Sequence, residues 1–212
     1  MQYQGILQKM FGQLAGVVQY RVALSEGEIP LNAFLGKTCT IRWLGNMVCQ
    51  GCSKTLKKSY QGYCYPCTQT LACCDLCMVR PERCHFHLST CREPEWGQTH
   101  CMIPHQVYLA NVTGLKVGIT RQASQRWIDQ GAIQALPIYR VKTRRISGLI
   151  ETEVAQHVDD KAQWRQLLQK DATPIDLIGI REIIIARHVD YVDALQQEFG
   201  PDSITAVTDA AV

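Results

Sequence analysis

Long apolar runs are missing from this sequence: no stretch approaches the eighteen or so residues that a bilayer-spanning helix requires. The first residues also lack a basic segment followed by an apolar core, so a secretory signal is not expected. Charged residues make up only 19% of the 212 positions and the net charge is +3, whereas 46% are apolar. This composition excludes a disordered chain. We therefore expect a cytoplasmic globular protein.

Eleven cysteines stand out against these absences. In a chain without an export signal they are expected to be reduced, which favours metal ligands over disulfides. Cys49-x2-Cys52 is followed by Cys64-x2-Cys67. Each pair predicts a tight turn that directs two sulfurs at one ion, and four thiolates are a shell that tetrahedral Zn²⁺ takes. That shell leaves no open position, so the predicted zinc ion is structural.

A second group of cysteines and histidines follows between residues 73 and 105. Cys74-x2-Cys77 repeats the paired spacing, so we predict a second zinc site in this stretch. Its predicted ligands are Cys74, Cys77, Cys84 and Cys91. The rivals for the fourth place are His87, Cys101 and His105. An iron–sulfur cluster is the alternative cofactor for the same stretch.

Basic residues are concentrated in the middle of the chain. Residues 106–148 carry seven Lys and Arg against Asp129 alone, whereas residues 149–212 carry twelve acidic and five basic residues. A basic block of this kind is a candidate contact for the phosphates of DNA or RNA. The residues predicted to make the contact are Arg121, Arg140, Lys142, Arg144 and Arg145. The alternative is a solvated face whose charge the acidic C-terminal region neutralises.

The spacing of apolar residues predicts both strands and helices. Ile6, Met10, Phe11 and Leu14 follow a helical period, which predicts a helix at the start of the chain. Strands are expected at 17–24, 38–44, 107–110, 115–119 and 137–141. Helices are expected at 121–130, 147–170, 175–187 and 189–199, with 183–185 as an alternative strand. Cys39 lies in a strand-like segment and is expected to be a small core residue.

The stretch Gln106-Val107-Tyr108 … Lys116-Val117-Gly118 … Arg126-Trp127 resembles the GIY-YIG nuclease superfamily over about residues 104–170. The resemblance implies two strands that carry the triplets, a helix that carries an Arg, and a further helix that presents a metal-binding Glu. Gln106 and Val107 replace the Gly and Ile of the first triplet, and Lys116 replaces the second Tyr. The whole chain is also similar to an uncharacterised bacterial family that joins a cysteine-rich front half to such a back half.

Hydrolysis of a phosphodiester requires a positioned water, a cation near the developing charge and a divalent metal on a carboxylate. By the resemblance, Tyr108 or Lys116 activates the water and Arg126 stabilises the phosphate charge. Glu151 holds Mg²⁺ or Mn²⁺ in the same scheme. Glu153 competes for the metal, but Glu151 shares a helix face with apolar residues and requires a partner there, so it is preferred.

Together these patterns predict an α+β protein in three parts. Residues 1–105 form a β-rich, zinc-ribbon-like region, residues 106–170 a GIY-YIG-like domain, and residues 171–212 a helical extension. The predicted function is that of a zinc-stabilised nucleic-acid-binding protein, in its stronger form an endonuclease dependent on Mg²⁺ or Mn²⁺. The alternatives are a non-catalytic nucleic-acid-binding module, favoured by Lys116 and the missing Gly-Ile, and a protein-interaction adaptor built on the zinc knuckles.

Overall fold

The structure is a computed structural model that describes residues 1–121, 123–158 and 172–208. The chain divides into two compact units, Met1–Asp75 and Leu76–Val212. The division therefore lies N-terminal to the predicted boundary between residues 105 and 106, because residues 76–104 pack with the second unit. Helices and two antiparallel sheets are both present, so the predicted α+β class is confirmed.

The first unit begins with a three-stranded antiparallel sheet in the order β1-β2-β3. Its strands are Leu7–Ala15 (β1), Val17–Leu24 (β2) and Gly27–Pro30 (β3). The helix predicted at the start of the chain is therefore wrong. The β-branched and aromatic residues of β2 favour a strand, and β1 pairs with it from Ala15 opposite Val17 to Leu7 opposite Leu24.

The rest of the first unit has little regular structure. Residues 38–44 form no strand in the described chain, and Cys39 is exposed rather than part of a core. Two isolated bridges, Val48 with Thr55 and Tyr60 with Tyr63, precede the short helix Tyr65–Thr70 (α1). These bridges and the helix hold the first cysteine group.

The second unit is built on a four-stranded antiparallel sheet in the order β5-β4-β6-β7. The strands are His105–Asn111 (β4), Leu115–Thr120 (β5), Gln134–Val141 (β6) and Ile204–Ala206 (β7). The hairpin and third strand predicted for this region are present. In the hairpin, Tyr108 pairs with Gly118 and Ala110 with Lys116, so these four positions lie on one face of the sheet.

Helices cover both faces of this sheet. On one face, Leu109 and Val117 belong to the larger core with residues of Arg144–Ala155 (α4), Leu177–Arg187 (α5) and Val189–Phe199 (α6). On the other face, Tyr108 and Ala110 pack with Trp127 of the short helix Ala123–Asp129 (α3). Residues 183–185 are helical, which excludes the alternative strand. Thr143 caps α4, and the part of the predicted 147–170 helix beyond residue 158 lies outside the described residues up to 171.

Residues 76–104 form a series of single 3-10 turns and one short helix, Pro94–His100 (α2). They are tied to the start of α4 by Arg144, whose backbone N–H donates to the carbonyl of Cys101 at 2.8 Å and whose Nη2 donates to the carbonyl of Met78 at 2.8 Å. Gly148, one turn further along α4, lies against the backbone of Pro81 and Glu82. No described helix has the length and apolarity to cross a bilayer.

Candidate functional site

The first cysteine group is assembled as its spacing predicts. The sulfurs of Cys49, Cys52, Cys64 and Cys67 all lie within 4.8 Å of one another, and those of Cys52 and Cys64 are 3.8 Å apart. Sulfurs bound to a tetrahedral zinc ion at about 2.3 Å lie roughly 3.8 Å from each other. The group therefore has the ligand type, number and spacing to bind a structural metal ion.

Local backbone geometry explains why these sulfurs converge. Two backbone hydrogen bonds close the first turn. The N–H of Cys49 donates to the carbonyl of Lys54 at 2.8 Å, and the N–H of Ser53 donates to the carbonyl of Cys49 at 2.8 Å. Gly51 leaves space for its neighbours in this turn, because a Cβ there would be 2.6 Å from Cδ1 of Leu71 and 3.2 Å from the sulfur of Cys67. Cys67 is directed at the group from within α1.

The four thiols differ in acidity. Burial by itself would raise the pKa of Cys49, but hydrogen bonds from the backbone N–H groups of Cys64, Cys52 and Gly51 outweigh it and lower the pKa to about 6. One of these is the N–H of Cys64, 3.2 Å from the sulfur. A hydrogen bond with Cys64, together with burial, raises the pKa of Cys67. The group thus favours at least one thiolate, the form that binds metal ions.

The later cysteines divide between the two units. In the first unit, the sulfur of Cys74 is 4.0 Å from that of Cys73, which is 3.6 Å from the hydroxyl of Tyr63. In the second unit, interactions with Cys101 and Cys77 lower the pKa of Cys84. The second ligand set, Cys74, Cys77, Cys84 and Cys91, stays a prediction.

A third group contains a carboxylate and two imidazoles. The ligand atoms of Glu153, His157 and His188 lie within 4.8 Å of one another. His188 is buried, and its Nδ1 donates to the carbonyl of Ile184 at 2.7 Å, which leaves Nε2 facing Nδ1 of His157 at 3.4 Å. The arrangement can hold a cation. Sequence spacing could not reveal it, because His188 is far from the other two residues along the chain.

The tyrosine of the predicted catalytic set is buried at the contact between β4, β5 and α3. Tyr108 is 1% exposed, and its hydroxyl donates to Oε1 of Gln130 at 2.8 Å. Its ring is 5.9 Å from that of Trp127.

The other three predicted catalytic residues stand at different places in the second unit. Lys116 is half-buried on β5, on the same face as Tyr108, and Arg126 is exposed on α3, next to Trp127. Glu151 is half-buried on α4, which packs against the opposite face of the sheet. The structure thus groups Tyr108, Lys116 and α3, and it places the helix of Glu151 in the other layer, where it borders the outer strand β5.

The five predicted nucleic-acid residues have unequal environments. Arg121, Arg140 and Lys142 are exposed. Arg144 is bound to the carbonyl of Met78, and Arg145 lies 3.7 Å from Glu198 and over the ring of Phe199. The available basic groups are therefore the first three.

Arg140 shares a row and a face of the sheet with residues near Tyr108. It pairs with Gln106, which pairs with Thr120 on the other side and lies two positions before Tyr108 on β4. Sequence analysis did not select Gln106 for a role. Its buried Oε1 and the buried Nε1 of Trp127 have no hydrogen-bond partner among the described residues. These two unpaired atoms could not be found from the sequence, because their lack of partners depends on the tertiary structure.

A protein family described as "Protein of unknown function (DUF2797)" matches residues 36–210. The chain belongs to this family. The match spans the first cysteine group and nearly all of the second unit, so both are features of a DUF2797 protein. Searches of the curated proteins and of the solved structures found no match. The resemblance to GIY-YIG nucleases is not part of this result and stays a prediction.

Proposed function

We propose that this DUF2797 protein is a zinc-stabilised nucleic-acid-binding protein and that the exposed basic residues at one end of the second unit's sheet contact DNA or RNA. The observation that supports the proposal best is the exposure of Arg140, which lies in one row with Gln106 and Thr120, together with that of Arg121, which follows Thr120. Phosphate contacts supply most of the affinity of such proteins.

Charge supports the same assignment. The segment 106–148 carries a net charge of +6, and it supplies both hairpin strands, β6 and α3. Arg121 follows the end of β5, and Arg126 is exposed on α3 beside the buried Trp127. Exposed cations of this kind attract a polyanion, because their long side chains can reach phosphates.

Zinc has a structural role in this proposal. Residues 47–67 have few buried side chains, namely Cys49 and Leu56, so an ion bound by the four thiolates replaces an apolar core. The all-sulfur shell gives the ion no open position for substrate, so its binding energy is folding energy.

Fluorescence anisotropy with labelled single-stranded and duplex DNA and RNA tests the binding proposal. Arg140→Ala and Arg126→Ala are each expected to weaken binding and to reduce the salt slope of log K by about 1, because one phosphate is then no longer neutralised. Arg145→Ala is the matched control, because that guanidinium is held by Glu198 and Phe199. Absence of salt-dependent binding to all four substrates would refute the proposal.

Phosphodiester hydrolysis is the second candidate, and the position of Tyr108 favours it. The hydroxyl stands across from Gly118, on the same face as Lys116 and next to the helix of Arg126. Cleavage of branched, duplex and single-stranded substrates with Mg²⁺ or Mn²⁺ tests it. Activity abolished by Arg126→Ala and by Glu151→Gln supports a nuclease. Binding without cleavage under either metal supports the non-catalytic module.

A protein-interaction adaptor is favoured by one feature of the first unit. Large apolar side chains of this unit are exposed, among them Leu7 at 71% and Val17 at 71% on the sheet and Ile41 at 97%. Exposed apolar surface of this type can serve a protein contact. An adaptor predicts that nucleic-acid binding is absent and that Leu7→Ser or Val17→Ser disrupts association with a protein partner.

A further inference from the structure

The third group lies where the end of α4 meets the corner between α5 and α6. Glu153 is in the last turn of α4, and His157 follows it four positions later, just after the helix ends. His188 is the residue between α5 and α6. One ligand atom of each residue lies within 4.8 Å of those of the other two. The group therefore joins two segments of the second unit that are distant along the chain.

Backbone hydrogen bonds keep the first two residues of the group close together. The N–H of Gln156 donates to the carbonyl of Glu153 at 3.2 Å, and the N–H of His157 donates to the carbonyl of Val154 at 2.9 Å. These bonds tighten the last turn of the helix, so residues four apart remain neighbours. Val154 and Val158, the next residues in sequence, are buried in the larger core. Glu153 is half-buried and His157 is exposed, so both stand at the rim of that core.

The two imidazoles are separated as two ligands of one metal ion are. Nε2 of His188 is 3.4 Å from Nδ1 of His157, and the planes of the rings are 75° apart. Nitrogens bound to a tetrahedral ion at about 2.0–2.1 Å lie roughly 3.4 Å from each other. Hydrogen bonds donated by nitrogen are mostly about 2.7–3.2 Å long. A direct hydrogen bond between the rings therefore accounts poorly for their separation.

Neighbouring polar groups orient both kinds of ligand. His188 is only 3% exposed, and its Nδ1 donates to the carbonyl of Ile184 at 2.7 Å. This bond fixes the tautomer in which Nε2 has no proton and presents its lone pair. Nε2 of Gln156 donates to Oε2 of Glu153 at 2.9 Å. Metal-binding histidines and carboxylates are held by second-shell hydrogen bonds of this type, and the histidine usually donates to a carbonyl or a carboxylate.

We propose that Glu153, His157 and His188 bind one divalent transition-metal ion of the first row, such as Zn²⁺, through Oε1, Nδ1 and Nε2 respectively. Imidazole nitrogens favour these ions over Mg²⁺ and Ca²⁺, which prefer oxygen ligands. Three protein ligands leave one tetrahedral position, which a water fills. Because His157 is exposed, this position can exchange with solvent. The site is thus unlike the closed four-thiolate group, and it does not depend on the nucleic-acid proposal.

Cobalt(II) is the probe for this site, because it takes the same ligands as zinc and its absorption spectrum reports them. The full-length chain, purified with its thiols reduced and its cysteine groups loaded with zinc, is desalted and titrated with Co²⁺. Cobalt binds less tightly than zinc, so it leaves the thiolates to the zinc ions, and we expect about one Co²⁺ per chain. X-ray absorption at the cobalt edge should show only nitrogen and oxygen neighbours. No uptake of Co²⁺, or a sulfur shell around it, would overturn the proposal.

Variants identify the ligands. His157→Ala removes an exposed side chain, so the fold is expected to survive. It should weaken Co²⁺ binding by more than the about 10–100-fold that loss of a second-shell partner costs, and Glu153→Gln should weaken binding as well. The matched controls are Thr152→Ala, at an exposed position of the same helix, and His87→Ala, which removes an exposed imidazole elsewhere in the second unit. Unchanged affinity in both ligand variants would contradict the assignment.

Thermal melting distinguishes a metal site from a pair of histidines that only stabilise the fold. An ion that binds the folded chain raises its melting temperature. Co²⁺ should therefore raise the melting temperature of the wild type and leave that of His157→Ala unchanged. A melting temperature that falls in His157→Ala, with no response of the wild type to Co²⁺, would mean that the imidazoles only bond to each other and that the proposal is wrong.

Discussion

The hydroxyl of Tyr108 occupies the space in which a side chain of residue 118 would stand. A Cβ built on Gly118, the cross-strand partner of Tyr108, would be 2.7 Å from the hydroxyl oxygen and 2.8 Å from the ring carbon that carries it. The glycine thus allows a large ring on one strand to lie over the backbone of the next. The position and hydrogen bond of the phenol depend on the absence of this single carbon.

Gly118→Ala is therefore expected to displace the Tyr108 ring and to break its hydrogen bond with Gln130. Overpacking of a buried site costs about 1–3 kcal/mol, which urea unfolding of the second unit would measure. Gly114→Ala in the turn of the same hairpin is the control, because a Cβ there has no atom within 4 Å. Equal destabilisation by both substitutions would contradict the close contact.

Two buried tyrosines are expected to respond oppositely to the loss of their hydroxyls. Tyr108→Phe removes a hydrogen bond and leaves Gln130 without it, a loss of about 0.5–1.5 kcal/mol. The hydroxyl of Tyr139 is buried and has no partner among the described residues. Tyr139→Phe removes this unpaired group, so it is expected to leave stability unchanged or to raise it by about 1 kcal/mol. Denaturant unfolding would compare the two variants with the wild type through their midpoints, provided that all three share one m-value.

Tyr139 is also expected to make the stability of the protein depend on pH in the alkaline range. Burial raises the pKa of Tyr139 to about 12, against about 10 in an unfolded chain. Its contribution to stability is fully present below pH 10 and is lost as the pH rises through 12, because the unfolded chain releases the phenolic proton first. Tyr139→Phe is expected to flatten the decline in melting temperature over this range. An unchanged decline would show that Tyr139 is not protected from ionisation.

The start of α4 leaves no room for a side chain at Gly148. A Cβ there would be 2.7 Å from the carbonyl carbon of Pro81, which is backbone and cannot move aside cheaply. Although alanine favours a helix over glycine by about 1 kcal/mol, we expect Gly148→Ala to destabilise the second unit by about 1–3 kcal/mol. Thr152→Ala, at an exposed position of the same helix, serves as control in the same thermal melts. A rise in melting temperature for Gly148→Ala would disprove the contact.

Removal of metal from the first cysteine group is expected to unfold residues 47–67. These residues have little apolar core, so the chelated protein should lose amide protection there while the sheet of the second unit keeps its own. Hydrogen exchange followed by mass spectrometry, with and without a strong chelator, would show the difference. Cys52→Ser should reproduce the loss and Cys39→Ser should not. Protection unchanged by the chelator would mean that the four thiols hold no ion.

Local sequence determined several parts of this protein by itself. The Cys-x2-Cys spacing requires a tight turn, and the turn directs both sulfurs to one side whatever surrounds it, so the first cysteine group was predictable. The two short strand-like segments 107–110 and 115–119, with a Thr-Gly pair in the link between them, likewise predicted the hairpin of β4 and β5. Helices were predicted at 175–187 and 189–199, with 183–185 left open as a strand, and both segments are helical.

Tertiary structure decided which distant groups meet. Ile6, Met10, Phe11 and Leu14 have helical spacing, but pairing with β2 made that segment a strand. Residues 76–104 dock on α4 through the N–H of Arg144, which donates to the carbonyl of Cys101, a contact that no spacing rule contains. Glu151 was assigned to a helix correctly, but the layer in which that helix packs depended on the whole core. The geometry of a turn is set by a few torsion angles, whereas contacts between residues that are distant in sequence depend on the packing of the complete chain.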